Sequence, residues 1–91
     1  MRELRTAQCD VAAVVAAAAW VAGERERHFA ALPAPAWATL EEIAADRGVP
    51  VTLVDELVDQ ALRRDLLAAE SGRGVSVTAA GHEHTAQAMR P

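Results

Sequence analysis

Residues 39–67 read TLEEIAADRGVPVTLVDELVDQALRRDLL, a stretch that predicts two helices joined by a very short turn. Thr39 and Glu42 form a capping-box pattern, in which the hydroxyl and the carboxylate each accept a hydrogen bond from a backbone amide at the start of a helix. Gly48 is suited to end this helix because glycine adopts the left-handed conformation at little steric cost. Apolar residues then recur at helical spacing. We therefore predict helices over residues 40–47 and 51–64.

After the second helix the apolar spacing changes from helical to alternating. Residues 66–70 and 75–78 are predicted strands, and the glycine-containing segment 71–74 between them is predicted to be a tight hairpin turn. Thr78 is placed to cap a last helix over residues 79–89. Two helices joined by a short turn form a helix-turn-helix, and a hairpin after it forms a wing. The sequence thus predicts a mainly α fold with a small β-hairpin, of the winged helix-turn-helix class.

The N-terminal part of the chain, from about Glu3 to Leu32, is also predicted to be helical. Every residue from 11 to 22 is apolar, so this helix has no polar side to turn toward solvent. It is either an alanine-rich helix of the chain's own core or a helix that packs against a second subunit. We predict a segment for packing or dimerisation over residues 1–35, followed by a winged helix-turn-helix over residues 36–91. The predicted dimer interface contains Val11, Val14, Val15, Ala18, Trp20 and Val21.

Composition limits the classes of function. The chain has 91 residues, which is one small domain, and its 9 arginines and 13 acidic residues give a net charge of −4. Nucleic-acid-binding domains usually carry a basic surplus or a basic face. A single cysteine excludes a disulfide framework. The longest apolar run, 13 residues, is shorter than the roughly 17–25 residues of a membrane-spanning helix, so we expect a cytoplasmic protein with no membrane partner.

His82, His84 and Cys9 are the remaining candidates for chemistry. The two imidazoles stand two positions apart, and such positions do not share a face of a helix, so we interpret them as a solvated helix start rather than a metal site. Asp10 beside Cys9 opposes formation of a thiolate, which argues against a redox-sensing thiol. The sequence contains no phosphate-binding loop and no nucleophile–base pair at a known spacing. We therefore predict no enzyme activity, no catalytic residue, no metal ion and no cofactor.

Three stretches resemble the winged-helix domain of MarR-type bacterial transcription regulators. They are TLEEIA at 39–44 together with GV at 48–49, LVDQALRRDLL at 57–67, and VSVTAAG at 75–81. In that family the first stretch corresponds to the first helix and turn of the motif, and the third to the segment after the wing. The second stretch corresponds to the end of the recognition helix, where the family usually has the pattern leucine, any residue, Arg-Arg-Gly-Leu. Asp65 stands where the family usually has glycine. The resemblance implies a homodimer, paired through terminal helices, that binds duplex DNA as a repressor.

The resemblance also implies a set of DNA contacts. It places the second helix of the motif in the major groove and the wing on the DNA backbone. The implied DNA-binding residues are Arg47, Thr52, Gln60, Arg63, Arg64 and Arg73. The same helix carries the carboxylates of Asp55, Glu56 and Asp59, which oppose contact with phosphates.

We predict the first of two functions from the sequence and keep the second as an alternative. The first is a bacterial, cytoplasmic DNA-binding regulator of MarR-like type, which occludes a promoter as a homodimer on duplex DNA. The second is a winged-helix module for protein–protein interaction or dimerisation that does not bind DNA and holds another protein through its acidic helix. The position of the arginines relative to the carboxylates discriminates between the two.

Overall fold

The computed structural model describes residues 9–28, 36–70 and 72–88. These ranges form a mainly helical structure with one antiparallel hairpin, which confirms the predicted mainly α composition and the predicted β-hairpin. The elements in chain order are α1 (Val11–His28), α2 (Leu40–Arg47), α3 (Val51–Arg63), β1 (Leu67–Glu70), β2 (Gly74–Val77) and α4 (Ala79–Ala88). No helix within these ranges has both the length and the apolar character needed to cross a lipid bilayer.

The start of α1 differs from the prediction. Cys9 and Asp10 are not helical, and α1 begins at Val11. The physical reason is an N-terminal cap: the Asp10 carboxylate accepts a hydrogen bond from the backbone amide of Ala13 at 3.0 Å. The other predicted helical residues at the two ends of this segment, 3–8 and 29–32, lie outside the described residues.

The capping box and the glycine cap of α2 are confirmed. The amide of Glu42 donates to Thr39 Oγ1 at 3.1 Å, and the amide of Thr39 donates to Glu42 Oε1 at 2.9 Å. Gly48 adopts a left-handed conformation with φ of 68°, and its amide donates to the carbonyl of Ala44 at 2.8 Å. The chain then turns directly into α3, so the two helices lie on either side of a very short connection.

The hairpin is offset by one residue from the prediction. Gly74 pairs with Glu70 and so belongs to β2 rather than to the turn. Thr78 lies outside the strand because its hydroxyl accepts from the amide of Gly81 at 2.9 Å and so caps α4. Ala38 adds a single bridge to the other side of β2, exchanging two backbone hydrogen bonds of 2.8 Å with Val75. This bridge ties the segment before α2 to the hairpin.

The hydrophobic core is built around α1. This helix packs against α2, α3, α4 and β2. The largest side chains without solvent contact come from four different elements and are Val14, Val15, Ile43, Val54 and Leu67. The apolar N-terminal helix is thus a central part of the chain's own core, since burial of apolar surface is the main force that holds such elements together.

Asp65 is the one non-glycine residue with positive φ among those described, at 64°. A side chain costs about 1–2 kcal/mol in this conformation, whereas glycine loses about 0.5–1 kcal/mol through its greater freedom in the unfolded chain. The bond from Thr78 Oγ1 to the Asp65 carbonyl, 2.6 Å long, survives the substitution because it uses the backbone. We expect Asp65→Gly to stabilise the fold by about 0.5 kcal/mol, which raises Tm by about 2–4 °C in thermal denaturation followed by circular dichroism.

Asp46→Gly is the matched control for this prediction. Asp46 lies inside α2, where glycine is a poorer helix former than aspartate, so Tm should fall slightly. A fall in Tm for both variants would contradict the view that the backbone at Asp65 is strained.

Candidate binding surface

The outward face of α3 is an extended charged surface. Val54, Val58 and Ala61 point into the core, and the opposite side is open to solvent over the whole length of the helix. With 13 residues, α3 is about 20 Å long. Its exposed residues are Val51, Thr52, Asp55, Glu56, Asp59, Gln60 and Arg63. The predicted contacts Thr52 and Gln60 therefore share this face with all three carboxylates.

The predicted DNA-binding arginines do not gather at one place. Arg47 ends α2, next to the start of α3, whereas Arg63 and Arg64 stand at the far end of α3. Arg63 is engaged in an ion pair, with its Nη2 atom 2.5 Å from Oδ2 of Asp59. The stretch of α3 between these arginines carries Asp55, Glu56 and Asp59 and no basic side chain. The arginines are thus separated by the acidic part of the helix.

Arg73, the predicted wing contact, lies over the ring of Trp37. Its guanidinium carbon is 5.1 Å from the ring centroid. Arg25 from α1 stacks on the same ring at 4.7 Å. A cation over an indole ring contributes about 0.5–1 kcal/mol at an exposed site. Arg73 is therefore directed toward the body of the domain, where it links the hairpin to the segment before α2.

Arg25 and Glu42 form a junction that the sequence did not reveal. Arg25 Nη1 and Nη2 donate to the two carboxylate oxygens of Glu42 at 3.1 and 2.6 Å, and Nη1 also donates to the carbonyl of Trp37 at 2.5 Å. Such paired, charge-assisted bonds are stronger than neutral ones and fix geometry. The pKa of Glu42 is lowered chiefly by the hydrogen bond from Arg25, against the opposing effect of burial. Glu42 thus caps α2 and holds α1 against it.

Four of the six residues of the predicted dimer interface on α1 lie in the chain's own core. Val11, Val14, Val15 and Ala18 are at most 7 % exposed because the chain's own core covers them. A second subunit has no access to these four side chains while the domain is folded. Of the predicted interface, Trp20 is 58 % exposed and Val21 is half-buried. Arg27 lies over the Trp20 ring at 5.4 Å from the centroid.

The described part of the chain contains no cluster of three His, Cys, Asp or Glu side chains able to hold a metal ion. His82 is exposed and His84 is half-buried on α4. Comparison of the chain with protein-family models, with curated proteins and with solved structures finds no significant match.

Proposed function

We propose that this chain is a winged helix-turn-helix domain that acts as a protein-interaction module through the outward face of α3. The order α2, short turn, α3 and hairpin, with the Ala38 bridge beside β2, supports the winged-helix fold. The observation that carries the function is the charge of α3. Its exposed face has three carboxylates and no basic residue before Arg63, the last residue of the helix.

Electrostatics makes this face a poor match for duplex DNA. A helix in the major groove lies between two rows of phosphates. Two like charges about 4 Å apart repel by about 1 kcal/mol in bulk water, and by several-fold more at the lower effective dielectric of an interface. One carboxylate is able to accept a hydrogen bond from a cytosine amino group, and Asp59 is paired with Arg63. At least one of Asp55 and Glu56 is then left without a compensating charge. The same charges attract a partner that presents arginine or lysine side chains.

A DNA-binding regulator is the second candidate, favoured by one specific observation. Thr52 and Gln60 are exposed on α3, and Arg47 and Arg64 are exposed at its two ends. These residues are able to contact bases and phosphates if the repulsion from the carboxylates is outweighed. Affinity for duplex DNA would then fall steeply as salt rises, since phosphate contacts release counterions.

Two titrations followed by fluorescence anisotropy test the proposal. One uses a labelled arginine-rich peptide, and the other uses a labelled duplex of about 30 base pairs, long enough for two half-sites. We expect the peptide to bind at about 50 mM salt and the duplex to show no binding there. Neutralising the α3 face with Asp55→Asn, Glu56→Gln and Asp59→Asn should weaken peptide binding by about tenfold or more.

The matched control removes the same number of charges elsewhere. Glu26, Glu41 and Glu83 are exposed and lie on α1, α2 and α4, so their replacement by glutamine changes the net charge equally. Peptide affinity that falls as much in this control as in the α3 variant would contradict the assignment to α3. Micromolar binding of the duplex, with a steep dependence on salt, would overturn the proposal in favour of the DNA-binding regulator.

A further inference from the structure

A groove of about 460 Å³ lies between α1 and α2, and α3 does not contribute to it. This volume falls within the range of about 300–1,000 Å³ that is usual for small-molecule sites. Its apolar wall consists of Trp20, Val21 and Ala45. Trp20 is 58 % exposed, although tryptophan is normally largely buried in a folded domain. The groove thus offers an accessible aromatic surface in a chain that has few aromatic residues.

Three carboxylates line the same groove, and two of them already hold an arginine of the chain. Glu42 is paired with Arg25 at 2.6 Å, and Glu24 is hydrogen-bonded to Arg27. The third carboxylate belongs to Asp46, which has no ion-pair partner within the described ranges. Asp46 stands four residues after Glu42, so both side chains lie on the same side of α2.

The two existing pairs share one chemical pattern. Arg25 lies over the Trp37 ring while it binds Glu42, and Arg27 lies over the Trp20 ring while it binds Glu24. In each case one planar guanidinium group contacts both an indole ring and a carboxylate. Arginine suits such a position because it stacks on aromatic rings and donates paired hydrogen bonds to carboxylates.

The side chains that line the groove carry one more negative charge than their arginine partners compensate. Among the described residues, the two arginine pairs compensate Glu24 and Glu42, and no cation pairs with Asp46. His28 at the edge of the groove approaches Glu24 rather than Asp46, with its Nε2 atom 3.5 Å from Oε1. An additional cation beside Asp46 would therefore meet an uncompensated carboxylate and an apolar wall.

We propose that this groove binds a guanidinium group carried on an apolar body. The guanidinium pairs with the Asp46 carboxylate, and the body packs against Trp20, Val21 and Ala45. The ligand is either a small guanidinium compound or an arginine side chain of a peptide, since both present the same chemistry. This site is independent of the α3 face, so either proposal is able to fail without the other.

Nuclear magnetic resonance on the ¹⁵N-labelled full chain tests this site through the indole N–H signals of Trp20 and Trp37, which a Trp20→Phe variant assigns. The probes are benzylguanidinium, its neutral isostere benzylurea, and an arginine tripeptide with blocked termini. We expect benzylguanidinium to shift the Trp20 signal saturably and benzylurea to leave it unchanged. A response to the tripeptide identifies a peptide arginine as ligand, and a response to benzylguanidinium alone identifies a small compound.

Asp46→Asn should weaken the binding of benzylguanidinium by about tenfold, whereas Glu41→Gln, an exposed carboxylate on the same helix, should leave it unchanged. Absence of a saturable shift of the Trp20 signal would overturn the proposal, as would an equal response to benzylurea or unchanged affinity in the Asp46 variant. A Trp20 signal that moves when the protein alone is diluted would assign the groove to a second copy of the chain and would also overturn it.

Discussion

The Gly81→Ala variant is expected to lose about 2–3 kcal/mol of unfolding free energy, a large part of the stability of so small a domain. A Cβ atom at Gly81 would lie 2.1 Å from the carbonyl oxygen of Leu66 and 2.8 Å from Cγ1 of Val77. The first of these neighbours is a backbone atom and cannot rotate away. The first turn of α4 must therefore move off the hairpin, which separates surfaces that are packed in the native state. Urea denaturation followed by circular dichroism measures the loss.

Gly23→Ala is the matched control, because it is the same substitution in another helix. No atom lies within 4 Å of a Cβ built at Gly23. Alanine is a better helix former than glycine, so this variant should gain about 0.5–1 kcal/mol. The two glycine variants should thus change stability in opposite directions. An increase of unfolding free energy in both variants would show that α4 is able to move away from the hairpin without loss of stability. This result would contradict the close contact between Gly81 and Leu66.

Glu42→Ala is expected to destabilise the domain by about 2–3 kcal/mol. Loss of the capping box costs about 1 kcal/mol, and loss of hydrogen bonds to a charged partner costs about 1.5–3 kcal/mol. The second contribution is reduced by the partial exposure of the Glu42 side chain, which is 37 % accessible. Arg25, whose side chain is only 18 % accessible, is left without its carboxylate. Urea denaturation at pH 7 gives the difference in unfolding free energy.

The neighbouring carboxylate provides the control for Glu42. Glu41 lies in the same first turn of α2 and is exposed. Like Glu42, Glu41 interacts favourably with the helix dipole, and this interaction contributes about 0.3–1 kcal/mol. Glu41→Ala should therefore cost well under half as much as Glu42→Ala. Equal losses in the two variants would mean that the junction with Arg25 adds nothing to stability.

The pH dependence of stability is a second test of the ion pair between Arg25 and Glu42. The pKa of Glu42 is lowered from its ordinary value of 4.5, with the hydrogen bond from Arg25 as the largest cause. Because the pKa of Glu42 is lower in the folded chain than in the unfolded chain, its contribution to stability is complete at pH values above the pKa of the unfolded chain. This contribution is lost as the pH falls through the pKa of the folded chain. The stability advantage of the native chain over Glu42→Gln should stay constant above that range and shrink below pH 4.5. An advantage independent of pH would contradict the charged pair.

Helix and hairpin positions followed largely from short-range patterns. The predicted bounds of α2, 40–47, agree with the structure because a capping box and a glycine cap mark its two ends. The end of α3 and the strand bounds were displaced by one residue, and the start of α1 was missed. The signal for that start was present in Asp10, a residue that favours helix N-termini, but the apolar run beside it gave no independent reason to end the helix there.

The residues of the predicted DNA-binding surface could be named from the sequence, but their surroundings could not. Sequence order placed Thr52 and Gln60 on one helix with three carboxylates, and this is what the structure contains. It did not show that Arg73 lies over Trp37, because those residues are brought together only when the hairpin meets the segment before α2. It also left open whether the apolar helix faces its own core or a partner.

By itself, the sequence determined the mainly helical composition with one hairpin, the two caps of α2 and the acidic character of α3. Helix periodicity, capping and charge act over three or four residues, so they can be read locally. Only the tertiary structure decided that Val14 and Val15 are sealed inside the chain, that Gly81 touches the backbone of Leu66, and that Arg25 joins Glu42 from 17 positions away. Contacts of this kind depend on how whole elements pack. Many arrangements of the same helices are compatible with one local pattern, and close packing of the core selects among them.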